Sequence, residues 1–206
     1  MTASPSHIQS PRRASAFSLV ELLTVIAIMG IVLASVAPAI VQRQRASNLT
    51  QAGNRLADMI TSARQTSLSR NMITAVIFVT STSDATLNGR VLGFLEMGTD
   101  RVWKQSGGWV YLPEAVEIQD MNGAAPHNAL PMPSGAPAPQ LARVKGDANP
   151  AYSALVFYPD GRMRGDSSLA RQVRVHFQSD AQNASPANYY DVVLNSDTAT
   201  MRIQRP

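Results

Sequence analysis

The side chain with the clearest chemical demand is Glu21. It stands at the entrance of "LLTVIAIMGIVLASVAPAIV", Leu22 to Val41, a run without a charged residue. A carboxylate beside so apolar an environment is costly unless a counter-charge meets it. The upstream residues offer one. A cut between Ala16 and Phe17 would create an α-amino group four residues before Glu21, one helical turn away or on a neighbouring copy of the helix. Amine and carboxylate would then compensate each other in low dielectric, where either alone is disfavoured. Arg12 and Arg13 supply a basic flank ahead of the run.

Two other uses of this stretch compete. Ala37-Pro38-Ala39 has the small-x-small form of a signal-peptidase site, which would release a soluble exported protein beginning after Ala39. Against it, the apolar run is long for a signal peptide and Glu21 is badly placed. The Arg12-Arg13 pair lacks the apolar residues of a twin-arginine signal, because Ala14, Ser15 and Ala16 follow. A plain membrane anchor fits the run but leaves Glu21 unexplained.

Elsewhere the chemistry is sparse. The chain has no cysteine, which removes disulfides, thiolate metal sites and cysteine nucleophiles. Its three histidines, His7, His127 and His176, have neither metal-ligand spacing nor the company of a triad. The strand alternation around Val175 and Phe177 puts His176 toward solvent. No G-x-x-x-x-G-K-[ST] or G-x-S-x-G motif occurs, and Arg164-Gly165-Asp166 is a three-residue match expected by chance. The expectation is a protein that is not an enzyme, with no catalytic residue, metal or cofactor. The formal charge of +4 falls to +2 without Arg12 and Arg13, since 16 basic side chains then face 14 acidic ones. That is too little to argue for nucleic acid.

The elements that carry these residues follow from pattern. At 206 residues, with 45% hydrophobic and 16% charged side chains, the chain suits one folded domain behind a separate N-terminal segment. Leu22 to Val41 matches the roughly 20 residues a helix needs to cross a bilayer, with apolar side chains all round it. Gly30 and Pro38 are weak points in that helix, and Pro38 is a candidate for a kink or local melting. Arg43 and Arg45 fall at headgroup level. From 42 to 70, Leu49, Ala52, Leu56, Ile60, Ala63 and Ser67 form one stripe of an amphipathic helix. After Asn71 the period changes: "MITAVIFVT", "RVLGFLEM", "GGWVYLP", "ALVFYPDGRM", "RQVRVHFQSD", "YYDVVLNSD" and "TATMRIQ" read as strands of an antiparallel sheet packed on the helix, within a β region over 72–206. The Ala-, Pro- and Gly-rich segment 121–150 reads as a mobile loop. Asp160-Gly161 is a turn between strands.

The residues "FSLVELLTVIAIMGIVLASVAPA" resemble the N-terminal segment of type IV pilins and of type II secretion pseudopilins. "SARQTSLSRNMITAVIF", "WKQSGGWVYLP" and "LVFYPDGRMRG" resemble the minor pseudopilin and minor pilin group called GspH/FimT. The resemblance implies an α+β, type IV pilin-like fold. It implies a leader over 1–16 cut by prepilin peptidase between Ala16 and Phe17, N-methylation of Phe17, an assembly helix over 17–41 and a periplasmic domain over 42–206. Ala16 departs from the glycine usual before the cut. Glu21, Gly30 and Pro38 fall on assembly positions. The implied partners are prepilin peptidase, other pilin or pseudopilin subunits and inner-membrane lipid. The implied location is a single-pass inner-membrane protein with a cytoplasmic N terminus, later part of a pseudopilus or pilus. Some members of the group resemble DNA-uptake components, which makes Arg162, Arg164, Arg171, Arg174, Arg202 and Arg205 candidates for phosphate contacts and DNA an alternative partner. Asp166, Asp180, Asp191 and Asp197 lie among them.

Overall fold

Nine strands follow one long helix in the computed structural model, which describes residues 18–120, 130, 138–148, 150–163, 171–180, 186, 188–195 and 197–205. The chain divides into two units, Met1–Gln44 and Arg45–Pro206. The helix α1 is Leu19–Arg70.

In the first unit, every large aliphatic side chain described between Leu19 and Val41 is exposed, from Leu19 at 78% to Val25 at 43%. Among the described residues of this unit, none covers them. A Cβ built on Gly30 would meet no atom within 4 Å. The helix assignment runs through position 38, although a proline there has no N–H to give the Ala34 carbonyl.

In the second unit the amphipathic stripe of α1 is seated in a core. Leu49, Ala52, Leu56, Ile60, Ala63 and Ser67 are all buried. Fully burying side chains such as Leu56 and Ile60 contributes about 1.5–3 kcal/mol each relative to exposure. The helix ends where Asn71 takes a left-handed φ of 51° and Met72 N–H donates to the Ser67 carbonyl at 3.3 Å. This is a Schellman-type stop in which asparagine takes the place usually held by glycine. Thr74 Oγ1 then donates to the Ala63 carbonyl at 2.8 Å, fixing the first strand beside the last turns.

The strands are β1 (Thr74–Ser81), β2 (Val91–Met97), β3 (Trp103–Gln105), β4 (Val110–Tyr111), β5 (Val116–Asp120), β6 (Ala151–Phe157), β7 (Arg171–Phe177), β8 (Tyr189–Leu194) and β9 (Met201–Gln204). One sheet has the order β3-β2-β1-β6, with β4 also on β2; the other has the order β5-β7-β8-β9. All these pairings are antiparallel. β1 reads as an unbroken apolar run because both of its faces are covered. Val76 and Phe78 join the core shared by α1 and both sheets. Ala75 and Ile77 join a second cluster with Leu95, Trp103, Leu130 and Val156.

Part of the segment 121–150, read as a mobile loop, is seated against this sheet. Gln140 N–H donates to the Trp103 carbonyl at 2.8 Å and Gln105 N–H to the Gln140 carbonyl at 3.2 Å. Leu130 and Val144 are buried. Gln140 therefore pairs with β3, an edge strand whose free backbone groups need partners, and Leu130 packs into the second cluster. The Asp160-Gly161 turn is as expected: Gly161 has φ 82°, and Arg162 N–H donates to Asp160 Oδ1 at 3.0 Å.

Candidate processing and assembly site

Helix α1 begins with a local hydrogen-bond set. Ser18 N–H donates to Glu21 Oε2 at 3.0 Å, and Val20 N–H donates to Ser18 Oγ at 3.3 Å. Glu21, expected to seek an amine, thus has a partner within its own chain, and its negative charge also suits the positive end of a helix dipole. The signal was present in the sequence, since Ser-x-x-Glu before an apolar run is a capping pattern. Ala16, Phe17, Arg12 and Arg13 lie outside the described residues. Glu21 and Gly30 lie on the exposed helix. The side chain of Pro38 lies outside what the structure describes.

The six arginines do not make one exposed set. Arg162 is exposed beside Asp160, at 3.7 Å, and Arg164 lies outside the described residues. Arg171 is only 5% exposed, because strand alternation puts it on the same face as Val173 and Val175. Arg174 is held by Asp191 in a two-point ion pair, Nε to Oδ1 at 2.8 Å and Nη2 to Oδ2 at 2.9 Å. Gln172 Nε2 also donates to that carboxylate, and the guanidinium lies 4.2 Å from the centre of the Tyr189 ring. Hydrogen bonding to Asp191 holds the Arg174 guanidinium above its ordinary value, so its charge is already matched. Arg202 and Arg205 are exposed at the β9 end, with Arg205 lying 4.6 Å from the centre of the Tyr190 ring.

His176 is the clearest departure from the alternation argument. It is 1% exposed rather than solvent-facing. Its Nδ1 lies 2.9 Å from the Phe177 carbonyl, and its Nε2 lies 3.6 Å from Glu117 Oε1. β5 supplies that carboxylate in register, and this strand was not among those read from the sequence. Among the described residues no group of His, Asp and Glu is arranged to hold a metal.

The sequence reading also missed the contact between α1 and β8. A Cβ on Gly53 would come within 2.6 Å of three atoms of the Tyr190 ring, and Tyr190 O–H donates to Asn54 Oδ1 at 3.1 Å. The glycine is there so that an aromatic ring can lie directly on the helix backbone.

These features define a class: an α+β protein whose long N-terminal helix is packed through its second half against antiparallel sheets and exposes an apolar first half. The family model for type II transport protein GspH matches residues 52–198. That for the prokaryotic N-terminal methylation motif matches residues 11–37. The chain belongs to the GspH family. No curated protein matches it. Among solved structures it is similar to the minor pseudopilin EpsH from the type 2 secretion system of Vibrio cholerae, at 13% identity and TM-score 0.46 over 77% of this chain and 98% of that one. It is likewise similar to the type IV minor pilin FimU of Pseudomonas aeruginosa strain PAO1, at 12% identity and TM-score 0.46 over 78% and 90% of the two chains.

Proposed function

We propose that the chain is a minor structural subunit of a pseudopilus or pilus. It is made as a precursor with residues 1–16 in the cytoplasm, the apolar helix of 17–41 in the inner membrane, and residues 42–206 on the periplasmic side. A prepilin peptidase hydrolyses the Ala16–Phe17 amide, leaving a carboxylate on Ala16 and an amine on Phe17. The amine nitrogen then takes a methyl group from a sulfonium-class donor, whose S–CH3 bond breaks to leave a neutral thioether, and gives up a proton to solvent. The helix leaves lipid for the interior of a filament made with other pilin or pseudopilin subunits, where Glu21 meets the Phe17 amine of its own chain or a neighbour and fixes register.

The observation that carries this reading is the continuous exposed apolar surface of Leu19–Val41 with one carboxylate at its start. A surface of that size needs lipid or protein to cover it, and Glu21 needs a cation once water is excluded. Gly30 supports the same reading: a Cβ there would meet no atom of the described residues within 4 Å, whereas close approach of a second helix in lipid favours a glycine.

Because the chain has no cysteine, a single Leu33→Cys substitution gives a clean cross-linking probe. Cross-links to partner subunits carrying their own helix cysteines are expected only in cells with prepilin peptidase. Cross-linking that is indifferent to the peptidase would argue against processed assembly.

A further inference from the structure

The last strand of the second sheet leaves one edge open. β3 is partnered by Gln140, and β5 by Gly89, whose carbonyl accepts from Ile118 N–H at 2.7 Å. β9 pairs with β8 on one side and has no hydrogen-bonded strand on the other among the described residues. Its register fixes what that edge offers. Asn195 N–H donates to the Thr200 carbonyl at 3.0 Å. The alternation of an antiparallel ladder then turns the backbone groups of Arg202 and Gln204 toward β8 and those of Met201 and Ile203 outward. Met201 and Ile203 stand opposite Leu194 and Val192, so their side chains lie on the face that packs against α1. Ile203 is nonetheless 45% exposed, because no fifth strand lies beside it among the described residues.

Next to this edge a groove of about 440 Å³ separates α1 from β9. Ile60, Arg64 and Leu68, spaced four residues apart, form a row on its helix side, and Ala199 and Met201 line its strand side. Leu68 is 46% exposed. Arg64 Nε is buried without a hydrogen-bond partner, and no carboxylate lines the groove to meet its charge. Such a guanidinium is costly until an acceptor reaches it.

The geometry points to this edge and groove as the docking site for an extended segment of another protein, added to the sheet beside β9 with apolar side chains over Ile203 and Leu68 and a carboxylate on Arg64. Backbone pairing to Met201 and Ile203 supplies the attachment, and the groove supplies the selection. A second copy pairing edge to edge is a poor donor. Its own "MRIQR" carries two arginines and no acid, and would bring like charges together. The same arginines keep this short edge from adding to itself. The site lies wholly within Arg45–Pro206 and does not depend on how the N terminus is processed.

The probe is a capped seven-residue peptide in which threonines alternate with valine, glutamate and valine, so that the last three share one face. It is titrated into the full chain in detergent micelles while the amide NMR signals of Met201 and Ile203 are followed. Binding should shift both amides and slow their exchange with solvent. The same peptide with glutamine for glutamate should bind about fivefold more weakly, the most that a part-exposed ion pair gives. Arg64→Gln should abolish that difference. Equal binding of the two peptides to the unmodified chain would overturn the inference without recourse to the variant. So would Met201 and Ile203 amides that stay unmoved at millimolar peptide. Movement of those amides by a DNA duplex and not by the peptide would also overturn it, and would assign the arginines of this edge to phosphate.

Discussion

Glu21 holds the Ser18 N–H within its own chain and, in the proposed filament, faces an amine. The two uses separate in Glu21→Gln. Glutamine still accepts from Ser18 N–H as the third residue of a capping box, so cleavage should continue near the unmodified rate. It carries no charge to attract the Phe17 amine, so filament incorporation, read by co-sedimentation with the other subunits, should be lost. At Arg174 the argument concerns stability. Its side chain is 12% exposed and that of Asp191 only 2%. Arg174→Met should therefore destabilise the domain by about 3–5 kcal/mol, through the uncompensated carboxylate left behind. Adding Asp191→Leu should recover much of that loss in denaturant titrations. Asp84 carries a pH dependence. Its carboxylate accepts from Thr86 Oγ1 at 2.6 Å and from Thr86 N–H at 3.0 Å, which holds its pKa below the ordinary aspartate value. The stability it contributes is thus full above that value and lost as pH falls through the lower folded one. Asp84→Ala should make the decline of Tm below about pH 4 shallower.

At the scale of elements, Gly53 is the position where packing overrides local preference. Alanine is a better helix former than glycine by about 1 kcal/mol, yet Gly53→Ala places a methyl into the Tyr190 ring. It should lower stability by about 1–3 kcal/mol, as overpacking does, whereas Tyr190→Phe should cost about 1 kcal/mol for the bond to Asn54. The sequence could not announce Gly53, because an isolated helix glycine looks like a flaw until its partner strand is known. The stripe from Leu49 to Ser67 was legible, since its spacing alone determines which face is buried. So were seven of the strands, whose β-branched and aromatic residues stand between turn signals. β3 and β5 were not: "WKQ" is too short to show a period, and "VEIQD" alternates over too few residues. Missing β5 also hid the environment of His176, whose face alternation identified but whose burial depends on a neighbouring strand. Arg171 escaped for the complementary reason. Its charge suggested solvent, while its register on β7 places it with Val173 and Val175 on the buried face.

At the scale of the whole molecule, an apolar helix start exposed among the described residues is joined in sequence to a domain with a core of its own. In the proposed subunit the residues of the helix start answer to lipid, peptidase and neighbouring helices rather than to the fold, which is why their pattern could be read without knowing the fold. Gly30→Leu should accordingly leave the thermal unfolding of the domain unchanged while blocking entry into filaments, because only a neighbouring helix would meet the new side chain. The most direct test of the account is the mass of the mature N terminus in cells with and without prepilin peptidase. A methylated terminus at Phe17, replaced by the intact leader when the peptidase is absent, is the expected result. A terminus after Ala39, or a leader retained in the presence of the peptidase, would contradict it.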